Sequence, residues 1–263
     1  MRLRNPTEMV LGIVILLVSV VAFSAVSACS KPIRGSAQVG PVRSSGSTAA
    51  ATPSSSGAPN SGISMSNQPT ASTLPASVWI DTAALPLNDS QHWPDLADVA
   101  RPLTDDAFSI QSLCQVTPAA GQLNGTENAR ARADRGANGW SLQQQIVHYV
   151  GDPWTMGQTA WALFNSLVDT ATNCATTAPD ARVAATTPLS HCQNIVGGCS
   201  QAAFAIEIPQ KQISAHIYLS APGSSVTELS VWSSPIVNPP WSAPPDTDIF
   251  AAMNPQICAV WQC

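Results

Sequence analysis

Residues 141–174 read SLQQQIVHYVGDPWTMGQTAWALFNSLVDTATNC, and this stretch decides the fold. Its opening, Ser141 to Tyr149, has the β-rich, mixed polarity of a strand, with Leu142, Gln144, Ile146 and His148 on one side. Asp152-Pro153 then marks a helix start, because an Asp accepts free backbone N–H groups and Pro is already set for the first helical position. Trp154, Trp161, Phe164, Leu167, Val168 and Ala171 recur at spacings of three, four and seven. This predicts a helix from Pro153 to about Asn173 that buries that face, with Trp154 and Trp161 in the core.

Downstream, three strands are predicted in quick succession: Ala202–Ile208, Gln212–Ser220 and Val226–Ser233. Pro209-Gln210-Lys211 and Pro222-Gly223-Ser224 separate them, and links this short permit antiparallel neighbours only. In the second strand Ile213, Ala215, Ile217 and Leu219 alternate with Ser214, His216, Tyr218 and Ser220, so one face is expected buried and the other wetter. A proline-rich bend at 235–245 leads to Asp246-Thr247-Asp248, which offers caps for a last helix through Ile249, Phe250 and Met253. Pro255 should keep that helix short or kink it.

Upstream, Leu96 to Arg101 is expected as a short helix after Pro94, and Phe108 to Val116 as a strand. The polar run Pro118–Gly139 reads as a long loop with at most one helical turn. The fold class is α+β: an antiparallel sheet with a long helix packed on one face, after a signal peptide and a disordered tether.

The amino terminus sets the expected compartment. Arg2 and Arg4 precede an uncharged stretch from Met9 to Ala28, which ends in Val26-Ser27-Ala28-Cys29. Small residues before a cysteine resemble a bacterial lipobox, so residues 1–28 are expected to be a lipoprotein signal peptide and Cys29 the lipidated residue. An uncleaved anchor, since about 20 apolar residues cross a bilayer, and plain secretion with a free Cys29 thiol are the alternatives. Residues 29–76 are dominated by Ser, Thr, Ala, Gly and Pro and should form a disordered tether, with 77–263 as one folded domain. The expected location is extracytoplasmic, with the chain lipid-anchored to the cell membrane.

From Ser77 onward six basic residues face fifteen acids, a formal charge of −9. Nucleic acid and anionic lipid surfaces are poor partners for such a surface. Arg130, Arg132 and Arg135 form the one basic cluster, read as a solvated face. Six cysteines follow Cys29, namely Cys114, Cys174, Cys192, Cys199, Cys258 and Cys263, and an even number outside the cell reads as disulfides. Six cysteines allow fifteen pairings, and spacing alone does not choose among them. No CxxC pair occurs, and His191-Cys192 with Cys199 is the nearest approach to a metal motif, so neither a metal nor a cofactor is expected.

A strand, Asp-Pro, a helix carrying Trp161 and Phe164 and closing on Cys174-Ala175, then a meander of strands opened by Cys199, together with Gln143-Gln144-Gln145-Ile146-Val147-His148-Tyr149, resembles the PknH-like extracellular sensor domain of mycobacterial-type kinases and lipoproteins. The resemblance covers roughly Val78 to Cys263. It implies an α+β domain with a cleft, a ligand that is not catalytically transformed, and bridges Cys114–Cys174 and Cys192–Cys199. Cys258 and Cys263 depart from the pattern and would make a third, local bridge. The Trp-rich proline bend from Trp232 to Trp241 departs from it as well.

Catalytic motifs are missing from the sequence: no GxSxG, HExxH, SxxK or phosphate-cradling glycine loop occurs, and no catalytic residue is assigned. Ser90, His92 and Asp95 are neighbours in sequence, which says little about a triad, and they read as a polar turn before Trp93-Pro94. The candidate ligand-binding residues are Trp232 and Trp241, which flank the proline bend, with His148 and His216, which lie in predicted strands and could titrate near neutral pH. Indoles exposed on such a bend suit sugars or apolar chains. The expected function is a non-enzymatic binding or sensor-type lipoprotein whose partner is a small molecule, a glycan or an envelope protein. The rivals are an envelope hydrolase or transferase with a dispersed site and a purely structural module.

Overall fold

The computed structural model describes residues 74–103, 105–136, 139–192, 195, 198–234 and 240–263. The expected signal peptide, Cys29, the tether up to residue 73 and residues 235–239 of the proline bend lie outside the described residues. Leu74 is already buried in the core and Ala76–Val78 form a 3₁₀ turn, so ordered packing starts ahead of Ser77.

Two helical turns, α1 (Asn88–Gln91) and α2 (Leu96–Val99), precede the two-residue strand β1 (Ala100–Arg101). There follow α3 (Ser109–Leu113), β2 (Thr126–Asp134), β3 (Trp140–Tyr149), α4 (Pro153–Thr172) and the turn α5 (Cys174–Thr177). β4 (Arg182–His191), β5 (Cys199–Ile208), β6 (Ile213–Pro222), β7 (Ser225–Ser233) and α6 (Asp246–Trp261) complete the chain. The strands form one seven-stranded sheet in the order β1-β2-β3-β7-β6-β5-β4, with every neighbouring pair antiparallel. The fold is α+β with an antiparallel sheet.

Both sheet faces are covered. On one, α4 lays Ala160, Leu163, Phe164, Leu167 and Ala171 against Ile206, Ile217, Leu219 and Val226. Its start follows the expected chemistry: the Asp152 carboxylate accepts the Thr155 N–H at 2.9 Å and Pro153 occupies the first turn. On the other, the amino-terminal segment (Val78, Trp79, Ile80, Trp93, Leu96) and α6 (Ile249, Phe250, Met253, Ile257) enclose Leu142, Ile146, Leu229 and Val231. The polar side of β6 is therefore not wet: Tyr218 and Ser220 are buried beneath α6.

Four further expectations are corrected. Phe108–Val116 is not a strand but contains α3, because its first N–H groups find acceptors that sequence does not announce: Gln111 Oε1 accepts from Phe108, and the Glu228 carboxylate accepts from Ser109 and Ile110. The expected loop 118–139 holds β2, which pairs with β3 along its whole length, Ala129, Ala131 and Ala133 facing the core and Arg130 and Arg132 facing away from it. Pro255 does not keep α6 short, since the helix runs on to Trp261 with Ile257 buried beyond the proline. Trp154 and Trp161 are not core residues: they are 77% and 57% exposed.

β4 carries no clear strand pattern in sequence. It tolerates Pro188 because it is an edge strand, with irregular register around Thr187. Three disulfides join Cys114 to Cys174, Cys192 to Cys199 and Cys258 to Cys263, with Cα atoms 4.9, 5.3 and 5.0 Å apart. They match the pairing that the resemblance implies. The first closes a 60-residue separation and ties α3 to the end of α4, a constraint of on the order of 4 kcal/mol in the chain-entropy view.

Candidate functional site

A helix turns about 100° per residue, so Trp161 stands about 60° round α4 from Phe164 and Trp154 falls near it two turns earlier. The stripe that α4 buries runs the other way from Phe164, through Ala160, Leu163 and Leu167. Both indoles are thus left on one flank, about 10.5 Å apart along the axis at 1.5 Å per residue. Gly157 sits between them. A methyl group there would lie 3.5 Å from the Gly223 carbonyl, in ordinary contact, so this turn of α4 packs directly beside the β6–β7 turn.

The result is a groove of about 640 Å³ with Trp154 and Trp161 as one wall. Gly198, Cys199, Ser200, Ala221 and Ser224 make its floor, and Gln262 and Cys263 rise opposite. Two of the disulfides hold these parts: Cys192–Cys199 fixes the start of β5, and Cys258–Cys263 fixes the carboxy terminus. Gly223 adopts φ +58°, and its N–H donates to the Gly198 carbonyl at 2.9 Å, joining floor to wall. Gln158 and His191 complete the lining. No Asp, Glu, Lys or Arg side chain is among the described residues that line the groove, which offers flat aromatic surface with a few hydrogen-bonding side chains.

The residues singled out from sequence do not converge. Trp232 and Trp241 lie on opposite faces of the sheet: Trp232 packs on the α4 side under the Arg132 guanidinium, 5.3 Å from its ring centroid, and Trp241 packs on the α6 side. Trp241 stacks flat on His216 with centroids 3.6 Å apart, and lies 5.4 Å from Trp140. Burial pushes His216 down to about 4, against the weaker pull of Asp246. His148 shares that face but stands at its other end, stacked on Trp261 at 4.2 Å. Its Nδ1 lies 3.0 Å from Ser225 Oγ and 3.4 Å from Ser224 Oγ. Burial lowers its pKa, with Glu127 opposing, so His148 is a neutral hydrogen-bonding group behind the groove floor.

Ser90, His92 and Asp95 serve their own turns: Ser90 Oγ donates to the Leu87 carbonyl, and Asp95 accepts from Ala97 N–H at the start of α2. Arg135 lies over Trp93 and donates to the His92 carbonyl. Trp241 is thus packed between His216 and Trp140, whereas Trp154 and Trp161, expected in the core, are presented to solvent. The signal lay in their angular offset from Phe164. No family model, curated protein or solved structure matches the chain.

Proposed function

We propose that this protein is a cell-envelope lipoprotein, held to the outer face of the membrane through Cys29 and a flexible tether, whose folded part binds a neutral saccharide without transforming it. The observation that carries the ligand class is the pair of exposed indoles, Trp154 and Trp161, set seven residues apart on one flank of a helix over a largely apolar groove into which Gln158, Ser200 and His191 bring hydrogen-bonding groups. Sugar rings present C–H faces that stack on indoles and hydroxyls that suit amide, hydroxyl and imidazole groups such as Gln158, Ser200 and His191. The spacing suits two rings of one chain.

Export is supported by the charged start, the uncharged stretch to Ala28 and the small residues before Cys29. Three disulfides fit an oxidising compartment. Two or more acyl chains on Cys29, at about 0.8 kcal/mol per buried CH₂, would anchor the chain stably. The likeness to the PknH-like sensor domain supports binding rather than turnover.

The test is titration of the chain from Ser30 to Cys263 with neutral envelope oligosaccharides, followed by tryptophan fluorescence and calorimetry. Binding should quench and shift the emission, and Trp154→Ala with Trp161→Ala should weaken it by at least tenfold. Undiminished binding by the double variant, or release of shortened sugars, would overturn the reading. Intact mass of protein from its native host tests the anchor: an unprocessed amino terminus would end that part.

A further inference from the structure

At the other end of the same sheet face lies a second cavity, of about 470 Å³, between α3, β2, β7 and the β5–β6 turn. Its lining differs in kind from the indole groove. The folded part carries six basic residues against fifteen acids, yet three of the six, Arg130, Arg132 and Lys211, line this one cleft. We propose that it is a binding site for a small amphiphilic carboxylate, the anionic head held between Arg132 and Lys211 over Trp232 and the apolar body lying on Ile208 and Ile213.

The three cations are not equivalent. Arg130 is saturated: its guanidinium takes Asp105 in a fork at 2.9 and 3.1 Å, donates to Gln145 Oε1 at 2.9 and 3.1 Å, and reaches the Ala107 carbonyl at 2.6 Å. It braces the wall and shows how a carboxylate is received at this edge. Arg132 is different. Its nearest acid, Asp134, is 3.7 Å away with both side chains exposed, a separation that leaves most of its donors to solvent. The guanidinium also lies over Trp232, 5.3 Å from its ring centroid. Lys211 has no side-chain partner among the described residues, and its carbonyl accepts from Ser234 Oγ, which holds the turn against the end of β7.

The acids facing this space are Asp105, engaged by Arg130; Asp134, on the rim beside Arg132; and Glu228, beneath α3. Glu228 is fully buried and its charge is met by the N–H groups of Ser109 and Ile110, so it opposes an incoming anion weakly. Arg132, only loosely paired with Asp134, and Lys211 thus face Ile208 and Ile213 inside an otherwise acidic domain. That combination selects an anion with a hydrophobic body over a bare inorganic ion, and the volume lies in the range of small-molecule pockets.

The experiment uses the disulfide-bonded chain from Ser30 to Cys263 and three probes: decanoate below its micelle concentration, decan-1-ol, and inorganic phosphate. Calorimetry at low salt should show saturable decanoate binding that weakens with added salt, at least tenfold weaker binding of decanol, and none of phosphate. Arg132→Gln with Lys211→Gln, both exposed positions, should reduce decanoate affinity by at least tenfold, while near-ultraviolet circular dichroism confirms the unchanged fold. Trp154→Ala with Trp161→Ala should leave decanoate binding intact, which separates this site from the saccharide groove. Equal binding of decanoate and decanol, no effect of the charge variants, or loss of decanoate binding with the groove indoles would each overturn the proposal.

Discussion

Glu228 on β7 accepts the backbone N–H of Ser109 at 2.7 Å, across 119 residues of sequence. The same carboxylate takes the N–H of Ile110 and the hydroxyl of Ser230, so a fully buried acid in the sheet starts a five-residue helix. Burial raises the pKa of Glu228 while these donors hold it down. Glu228→Ala leaves the Ile110 N–H unmet in the core and the Ser109 N–H unmet at the half-buried edge of the cleft, where water can reach it; at about 1–3 kcal/mol for a fully buried orphan and less for the other, the variant should lose roughly 2–4 kcal/mol. Urea unfolding measures this; a loss below about 1 kcal/mol would mean that α3 is held by Cys114–Cys174 and packing alone.

His216 gives a pH dependence with a definite sign. In the unfolded chain its imidazole protonates near 6.5, while against Trp241 it stays neutral until about 4. The unfolded state binds the extra proton first, so stability falls as pH drops through the window from 6.5 to 4. At 1.36 kcal/mol per pH unit the ceiling is roughly 3 kcal/mol, and partial solvent contact reduces it to about 1–2. His148, lowered in the same direction, adds to the slope. His216→Phe keeps a flat ring for Trp241 and removes the titration; its urea midpoint should change less between pH 7 and 4.5 than that of the parent, and an equal slope would reassign the effect to carboxylates.

The parts legible in the sequence are those whose causes are local. The Asp152 cap, Pro153 and the Phe164 stripe lie within one segment, and α4 runs from Pro153 to Thr172, one residue short of the expectation. β5, β6 and β7 are apolar runs between turn residues, and their order follows from the short links. What was hidden depends on partners elsewhere. β2 alternates Ala with Arg, residues with little strand preference, and takes its form from β3. α3 needs Glu228, and the groove draws on five separate stretches whose Gly, Ser, Gln and Cys residues carry no motif. Periodicity placed Trp154 and Trp161 on the right element but not on the right flank, since spacings of three and four tolerate an offset of about 60°.

Pro255 offers a gain in stability. It stands exposed inside α6, where it lacks the N–H that would bond the Ala251 carbonyl, and a proline in a helix interior costs up to about 3 kcal/mol against alanine. The packing of Phe250 and Met253 before it and Ile257 after it carries the helix through. Pro255→Ala should therefore raise stability by about 1–3 kcal/mol with the Cys258–Cys263 bridge intact. A neutral or negative change in thermal unfolding would show that the proline shapes α6 to fit β6.

Two glycines at the indole groove should respond in opposite ways to the same substitution. Gly157 is helical, and an added methyl would find ordinary contact at 3.5 Å from the Gly223 carbonyl, so Gly157→Ala should gain up to about 1 kcal/mol from helix propensity. Gly223 is at φ +58° and its added methyl would lie 3.2 Å from the Cys263 Cα and 3.3 Å from the Gln262 carbonyl. Left-handed backbone costs a side chain about 1–2 kcal/mol, and the crowding pushes on the wall that faces the indoles. Gly223→Ala should therefore destabilise by at least that amount and weaken any ligand held between α4 and the carboxy terminus, whereas Gly157→Ala keeps the ligand. If both variants bind and unfold like the parent, the close approach of α4, the β6–β7 turn and the terminal disulfide is not what shapes the groove.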